Sequence, residues 1–572
     1  MRESQTSSSK NIFFNFAGMI QKLCQKVENI SGKVPEIIAS ITYAIAHIVI
    51  GFFHEPWYDE SVAWQIARCA SIKDILFEIP HYEGHPPLWY IILVPFAKLG
   101  APYELSLCIV SLIFAGVACC LIIWKSPFPR IIRLLLPFTY FFFYQYGVIS
   151  RPYCVMMLVF VLLAMAHHKK DLKPGIYVAL LMLLCLSSAY GILIAGGLAI
   201  AWILEMWKRQ NIISFVKKMF HDKRTIWLFI LLVFALLLIA MIMPREATAA
   251  TSNMEGQSDI EGLIRCIVYM FFALPSEVSM TTIYADYQLL KFADISWVSI
   301  ILTCFLGILI WFMLIKFGRQ KKTLLTLLIP YSMFAGFSAV VYIYNHHIGI
   351  GLYIIVFWLW ITLKEETKIV DEKINSLGSA LVLLFCSFVM CISLFWNIAS
   401  SVQEILYSYS IGRNEANFIK ENGLDNYKIM AGFSVTYDGN GEVAEMDVNQ
   451  IMFADNIAPY FDRNIFFNFN NGEDTLNYTT HKKVSEEETA EIIADWQKQR
   501  PEVLYMYPCI ELIYEDIDLY EYKVVFYHKN YKSWKGLLTH IDSRIYAHED
   551  VVKELDLEVL GKETFERKDL YF

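Results

Sequence analysis

Long apolar runs recur along the 572-residue chain, and they constrain its fold more than any other feature. A membrane-spanning helix needs about 20 mostly apolar residues, because it rises about 1.5 Å per residue across about 30 Å of hydrocarbon. Hydrophobic residues make up 56% of the chain. We therefore predict a polytopic α-helical membrane protein with eleven spans, near 36–53, 104–123, 133–147, 150–166, 175–190, 191–206, 225–243, 296–315, 324–343, 348–363 and 376–396.

Two further apolar stretches do not fit as full spans. Residues 86–100 are short and begin with a proline pair, and counting them as a span would reverse the predicted side of every later loop. We expect this stretch, and also residues 262–275, to form helices that lie in or dip into the outer membrane interface.

The basic residues between the apolar runs predict the orientation of the chain. One set of loops carries 24 Lys and Arg residues, whereas the opposing loops carry six. Because loops rich in Lys and Arg stay in the cytoplasm, residues 1–35 are expected there, and residues 401–572 are expected outside the plasma membrane. The N-terminus lacks the layout of a cleaved signal peptide, so the first run is expected to remain as a membrane helix.

The C-terminal segment differs in composition from the rest of the chain. Residues 401–572 hold 32 acidic and 17 basic residues and only one cysteine, so no disulfide framework is expected. Their pattern predicts a compact extracytoplasmic α/β domain that follows a membrane domain at 36–400, whose first external loop covers 54–103. No basic patch interleaved with aromatic residues points to nucleic acid. An amphipathic helix followed by a strand is expected in 407–432 and a helix in "SEEETAEIIADWQKQRP", with further strands in "NIFFNF", "PEVLYMY" and "YEYKVVFY".

Polar motifs that are far apart in sequence all fall at outward helix ends of this predicted topology. This convergence predicts a functional site at the outer face of the membrane. The interiors of the spans hold almost no ionisable residues, which disfavours an ion-coupled transporter. The motifs are the Asp59–Glu60 pair, "GHPPL" at 84–88, "SRPY" at 150–153, "SSAYG" at 187–191 and "YNHHIG" at 344–349.

Each motif has a structural interpretation beside a functional one. Asp59 and Glu60 fit the first turn of a helix, where carboxylates favour the helix dipole. Asp59 has few cations near it in sequence, and partial desolvation beside the bilayer would make it usable as a base. Arg151 is either a snorkelling anchor or a phosphate ligand. His85 precedes two prolines in a rigid turn at the level of lipid phosphates, and the histidines of "YNHHIG" suit a phosphate, a metal or a helix cap.

The motifs "EPWYDESVAW", "GHPPLWYIILVPFAKLG" and "LPFTYFFFYQYGVISRPYCVMM", in this order, resemble the polyprenyl-phosphate-dependent glycosyltransferases of the GT-C superfamily. These include the protein O-mannosyltransferases and lipid A aminoarabinose transferases of glycosyltransferase family 39. The resemblance covers roughly residues 36–165, with weaker similarity to about 360. It implies a GT-C-like fold and an inverting transfer of a sugar from a polyprenyl-phosphate donor to a glycan, lipid or protein acceptor at the outer face.

The resemblance also implies roles for individual residues. Asp59 is expected to be the general base that deprotonates the acceptor hydroxyl, and Glu60 to orient the acceptor or the first external loop. Whether a divalent metal cation takes part is left open. The residues expected to bind the substrate or its phosphate are His85, Arg151, Tyr153, His346, His347 and Trp57.

Two departures from the family pattern leave the sugar and the donor contacts open. Cys108 stands where family members often carry an arginine, and "NHH" stands where many have a basic loop. A transporter or flippase for lipid-linked glycans is the alternative function. A third interpretation, in which the helices only anchor a functional tail, is disfavoured because eleven helices exceed what an anchor needs.

Overall fold

A computed structural model describes residues 2–207, 211–245, 260–280, 297–363, 377–437, 443–448, 451–469, 478, 484–506 and 509–560. The predicted cytoplasmic loop at 364–375, much of the external loop at 244–295 and the end of the predicted tail domain after residue 560 lie outside the described residues.

Most of the described chain before residue 407 is helical. Between α8 and α9 the chain forms a 3₁₀ turn and a π-helix, and a second π-helix joins α14 to α15. The helices are α1 (Arg2–Glu28), α2 (Val34–Phe53), α3 (Tyr58–Cys69), α4 (Ile72–Phe77), α5 (Ile79–Glu83), α6 (Leu88–Lys98), α7 (Tyr103–Lys125), α8 (Arg130–Leu135), α9 (Tyr153–Ala166), α10 (Pro174–Ser187), α11 (Ala189–Trp207), α12 (Ile212–Met219), α13 (Lys223–Ile242), α14 (Ile260–Val268), α15 (Leu274–Glu277), α16 (Trp297–Lys321), α17 (Leu324–Val340), α18 (Gly349–Leu363) and α19 (Leu377–Leu406).

Seven of the described helices are long and apolar enough to cross a membrane, judged by length and composition: α2, α7, α11, α13, α16, α18 and α19. Four shorter apolar helices, α6, α9, α10 and α17, accompany them. The prediction of a largely helical membrane protein is therefore confirmed at this level. The count of eleven spans and the orientation of the chain stay predictions.

The apolar run near 133–147 does not form the single helix that a span requires. Pro137 lies in a 3₁₀ turn that ends at Thr139, whose backbone is extended, and the chain then forms a π-helix over Phe141–Val148. All eight residues of this π-helix are buried. Asn397 of α19 donates a hydrogen bond to the Phe138 carbonyl at 2.8 Å, which compensates one backbone group at the break. The run is an aromatic core segment, which hydrophobicity alone does not distinguish from a span.

The two short apolar stretches are helical. Residues 86–100 contain α6, and residues 262–275 fall within α14, the following π-helix and α15. Pro95 lies inside α6, and Trp89, Tyr90 and Leu93 are buried in the body of the protein. Their predicted position at the outer interface stays a prediction.

The C-terminal segment forms a small α/β fold, as its pattern predicts. Five elements match the predicted positions, but "NIFFNF" contributes only an isolated bridge between Phe466 and Ile429. A four-stranded sheet has the order β1-β4-β6-β5, in which only the β1–β4 pair is parallel. The elements are α20 (Arg413–Glu421), β1 (Ile429–Ala431), β2 (Ser434–Tyr437), β3 (Val443–Asp447), α21 (Met452–Ile457), α22 (Glu486–Trp496), β4 (Val503–Tyr505), β5 (Tyr522–Trp534), β6 (Leu537–His548) and α23 (Glu549–Leu555).

The tail fold is attached through the start of α20 to the segment between α2 and α3 and to the start of α7. The backbone N–H of Arg413 donates to Glu55 at 2.5 Å, and its guanidinium donates to Glu104 at 2.8 Å and to the His54 carbonyl at 2.9 Å. Glu55 is buried, and burial, followed by the nearby charge of Glu415, raises its pKa well above the usual range. One arginine therefore fixes the tail against the segment that leads into α3.

Candidate functional site

Asp59 lies in the first turn of α3, as the structural interpretation of the acidic pair predicts. Its carboxylate is not remote from cations. The Arg151 guanidinium lies 2.8 Å from Asp59 Oδ2, with the Asp59 side chain 35% exposed and that of Arg151 13% exposed. Few cations lie near Asp59 in sequence, and Arg151 reaches it only through the fold. The break after the π-helix of Phe141–Val148 brings Arg151 to this point.

Arg151 is held on its other side by aromatic and polar neighbours. Its guanidinium lies 5.4 Å from the centre of the Tyr153 ring, a favourable cation–π arrangement. Burial by itself lowers the pKa of Arg151, but the Asp59 carboxylate more than offsets this and raises it. Arg151 is therefore a permanently charged, mostly buried fork that pairs with the partly exposed Asp59 carboxylate.

Glu60 faces away from the site and is fully buried. It accepts hydrogen bonds from the Trp57 backbone N–H at 2.9 Å and from the Ser150 backbone N–H at 2.6 Å. One carboxylate thus joins the start of α3 to the residue that precedes Arg151. Of the two roles that the resemblance implied for Glu60, this placement favours orientation of the external loop over contact with an acceptor.

A buried relay of four side chains extends from Glu60 toward the last membrane helix. His54 Nε2 lies 3.1 Å from Glu60, and its Nδ1 lies 2.7 Å from Glu404 of α19. Glu404 also accepts a hydrogen bond from the Tyr144 hydroxyl. An imidazole between two carboxylates satisfies both when it is protonated, since both ring nitrogens then donate.

We predict that this relay makes stability depend on pH. Burial by itself lowers the pKa of His54, but Glu60 and Glu404 outweigh it and raise the pKa from 6.5 to about 10. Because the folded pKa lies above the unfolded one, the stabilisation is complete below about pH 6.5 and is lost as the pH rises through about 10. At about 1.36 kcal/mol per pKa unit, the loss is on the order of 5 kcal/mol.

Thermal unfolding in detergent between pH 6 and 10.5 measures this effect. Wild type should lose stability across that range, and His54→Gln should start lower and change little. The exposed His540, changed to Gln, serves as the control and should follow wild type. Parallel curves for wild type and His54→Gln would contradict the relay.

The two histidines of "YNHHIG" lie in one 3₁₀ turn, Asn345–His347, at the start of α18. Their ring centres are 4.0 Å apart. The Tyr344 backbone N–H donates to His347 Nδ1 at 3.0 Å. Because Nδ1 accepts that hydrogen bond, a neutral His347 carries its proton on Nε2. Nε2 is buried and has no hydrogen-bond partner among the described residues.

Tyr153 connects the histidine turn to Arg151. Its ring centre lies 5.8 Å from that of His347 and 6.2 Å from that of His346. Like His347 Nε2, the Tyr153 hydroxyl is buried and has no hydrogen-bond partner among the described residues. Unpaired buried donors are costly, so two of them beside an arginine are suited to an anionic ligand.

His85 and Trp57 complete the set of residues predicted from sequence. His85 follows α5 and Gly84, whose φ of +64° makes the turn, and His85 lies close enough to act electrostatically on His346 and His347. Trp57 precedes α3, and the Lys532 ammonium lies 4.3 Å from the centre of the Trp57 ring. The structure thus brings together Asp59, His85, Arg151, Tyr153, His346 and His347, with Trp57 at their edge and Glu60 behind them.

Three residues around this site were missed from the sequence: His54, Glu404 and Lys532. A signal existed for Glu404, because it is the only charged residue in the sequence of α19 and an ionisable residue in an apolar helix usually has a function. The apolar run predicted near 376–396 ends before Glu404, so Glu404 was not counted within a span. Nothing in the sequence associates Lys532, far away in the tail, with Trp57.

No group of three or more His, Cys, Asp or Glu side chains that could hold a metal ion occurs in the part of the chain that the structure describes. The metal requirement stays open.

No protein-family model matches the sequence, and neither a curated protein nor a solved structure gives a match. The resemblance to GT-C glycosyltransferases therefore rests on the three motifs and stays a prediction.

Proposed function

We propose that this chain is an integral membrane glycosyltransferase that transfers a sugar from a polyprenyl-phosphate donor to an acceptor hydroxyl at the outer face of the membrane. The observation that carries the proposal is a carboxylate in direct contact with a built anion site. Asp59 lies 2.8 Å from Arg151, and the Arg151 guanidinium also lies beside the Tyr153 ring. The Tyr153 hydroxyl and His347 Nε2 are buried and have no hydrogen-bond partner among the described residues.

The proposed reaction needs both the Asp59 carboxylate and the anion site. The acceptor oxygen attacks the anomeric carbon, its proton passes to Asp59, and the bond from the anomeric carbon to the phosphate oxygen breaks. The electron pair of that bond leaves with the polyprenyl phosphate, whose added negative charge Arg151 and the neighbouring donors stabilise. Attack from the side opposite the leaving group inverts the anomeric centre.

The ion pair between Asp59 and Arg151 suggests how the base becomes available. A phosphate offers the guanidinium a bidentate partner with more charge than a carboxylate. A bound donor would therefore compete for Arg151 and release Asp59 toward the acceptor. In this view the donor binds first and the base is idle without it.

The apolar body supports the same proposal. A polyprenyl chain needs a lipid-facing path to the site, and the long apolar helices of the chain provide lipid-compatible surfaces around it. The paired ionisable groups near Asp59 lie at helix ends and loops: Glu404 is two residues before the end of α19, and His54 directly follows α2. A transporter would be expected to carry such groups near the midplane.

Transfer from labelled donors tests the proposal directly. Membranes that contain the protein are supplied with a panel of polyprenyl-phosphate sugars, and label in glycan, lipid and protein fractions is measured against membranes without the protein. We expect at least one donor to be used and its polyprenyl phosphate to be released in equal amount. Movement of intact lipid-linked sugar across the bilayer without release of polyprenyl phosphate would contradict the proposal and favour a flippase.

A further inference from the structure

The tip of the β5–β6 hairpin is held against α19 in the membrane body. Lys535 and Gly536 form the turn, with φ angles of +49° and +78°. The Gly536 N–H donates to Ser400 at 3.0 Å, and its carbonyl accepts from Gln403 at 2.7 Å. A Cβ at Gly536 would lie 2.8 Å from the Ala399 Cβ, so a glycine allows this close approach.

A buried ion pair anchors the same turn. Lys535 Nζ lies 2.6 Å from Glu277 at the end of α15, and both side chains are almost fully buried. The Lys535 ammonium also lies 4.5 Å from the centre of the Trp396 ring. Trp534 packs on Tyr140 with ring centres 5.9 Å apart. The hairpin is therefore an inserted part of the body, and its position along β5 is fixed.

Lys532 lies three residues before this anchor, about 10 Å along the strand at about 3.3 Å per residue. Its ammonium is 4.3 Å from the centre of the Trp57 ring, two residues before Asp59 in the chain. Its charge acts on His346, on which Arg151 and His85 also act. The tail thus supplies a cation to a site whose other residues come from the membrane domain.

We propose that Lys532 is a substrate-binding residue that contacts the phosphate of the substrate from the tail side. This inference rests on the proposed function and assigns part of its site to the C-terminal fold. Arg151 pairs with Asp59 and lies 5.4 Å from the centre of the Tyr153 ring, and Lys532 lies over the Trp57 ring. A phosphate near His346 is therefore approached by two cations from different domains, and an ammonium is well suited to a phosphate as a compact charge. The tail is a component of the site.

Binding of polyprenyl phosphate and of uncharged polyprenol to the purified full-length protein tests this inference. The difference between the two affinities isolates the phosphate. Lys532→Met keeps an unbranched side chain over Trp57 and removes the charge, Lys532→Gln is a second neutral variant, and Lys532→Arg keeps the charge. Lys529→Met, in the same strand and exposed, is the matched control. Inorganic phosphate as competitor separates recognition of free phosphate from that of the lipid headgroup.

We expect the neutral variants to bind polyprenyl phosphate roughly tenfold more weakly, about 1.4 kcal/mol, because they lose a charge-assisted contact with the phosphate, and polyprenol binding to stay unchanged. Inorganic phosphate should compete less well in the same variants, and Lys532→Arg and Lys529→Met should resemble wild type. If wild type prefers the phosphate and the neutral variants keep that whole preference, this inference alone is overturned. If wild type shows no preference for the phosphate, the proposed function is contradicted as well.

Discussion

Replacement of Asp59 by Asn is expected to lower the rate of sugar transfer by about 10²–10⁴-fold, the usual effect of removing a general base. The amide is nearly the same size but does not take the acceptor proton. Donor affinity should stay the same or improve, because Arg151 loses a carboxylate that competes with the donor phosphate. The measurement is steady-state transfer at varied donor concentration. The predicted signature is a large loss of turnover with an unchanged or lower KM.

A folding defect is distinguished by two comparisons. The Asp59 side chain is 35% exposed, and partly exposed ion pairs contribute about 0–1 kcal/mol, so thermal unfolding should shift little. Asp74→Asn in α4 removes a different carboxylate of the same external loop and should keep wild-type turnover. If Asp59→Asn retains turnover, Asp59 only orients Arg151 and the base is another group.

The apolar runs were sufficient to predict most of the helical body, because a segment that must hide its backbone in lipid has few alternatives to a helix. They failed at 133–147 for a physical reason. Thr139 interrupts the helix, and the aromatic π-helix that follows is buried by protein. Burial in lipid and burial in protein produce the same hydrophobic signal. The four apolar helices of fewer than 18 residues are ambiguous for the same reason.

Individual site residues could be predicted from sequence where their chemistry is evident from a local motif. Asp59, Arg151 and the histidines of "NHH" were identified in this way and lie together. Their partners were not readable, because pairing depends on how the elements meet. Glu60 and Arg151 are an example: Glu60 is fully buried and accepts a hydrogen bond from the Ser150 N–H, whereas Arg151 pairs with the partly exposed Asp59. The adjacent acids Asp59 and Glu60 also differ in burial, which no local motif encodes.

The tail shows the same limit on a larger scale. Its strands β1, β4 and β5 and its helix α22 follow local signals. One such signal is the capping box in which Ser485 accepts from the Glu488 N–H at 3.2 Å and Glu488 accepts from the Ser485 N–H at 2.9 Å. The insertion of the β5–β6 tip beside α19 depends on the adjacent residues Lys535 and Gly536 and on Glu277, which lies about half the chain away from them. No periodicity marks them. A lysine at a hairpin turn is ordinarily read as a solvated residue.

Removal of either partner of the Lys535–Glu277 pair is expected to destabilise the protein by about 3–5 kcal/mol, because the remaining charge is left buried without its counter-ion. Lys535→Met and Glu277→Gln should each show this loss in thermal unfolding. The double variant should recover much of it, since neither charge is then left alone. The exposed pair of Lys498 and Asp495 is the matched control, and Lys498→Met should change stability by less than about 1 kcal/mol.

The same variants connect the anchor to the site. If the pair holds the hairpin in the body, Lys535→Met should expose the β5–β6 tip to limited proteolysis and also weaken the phosphate preference assigned to Lys532, although Lys532 itself is unchanged. The double variant should restore both together. Loss of stability without any change in proteolysis or phosphate binding would contradict the role of the pair as an anchor. Limited proteolysis reports on the β5–β6 tip, and the phosphate preference reports on Lys532. Loss of both in Lys535→Met and recovery of both in the double variant would therefore be expected only if the buried ion pair positions the tail at the site.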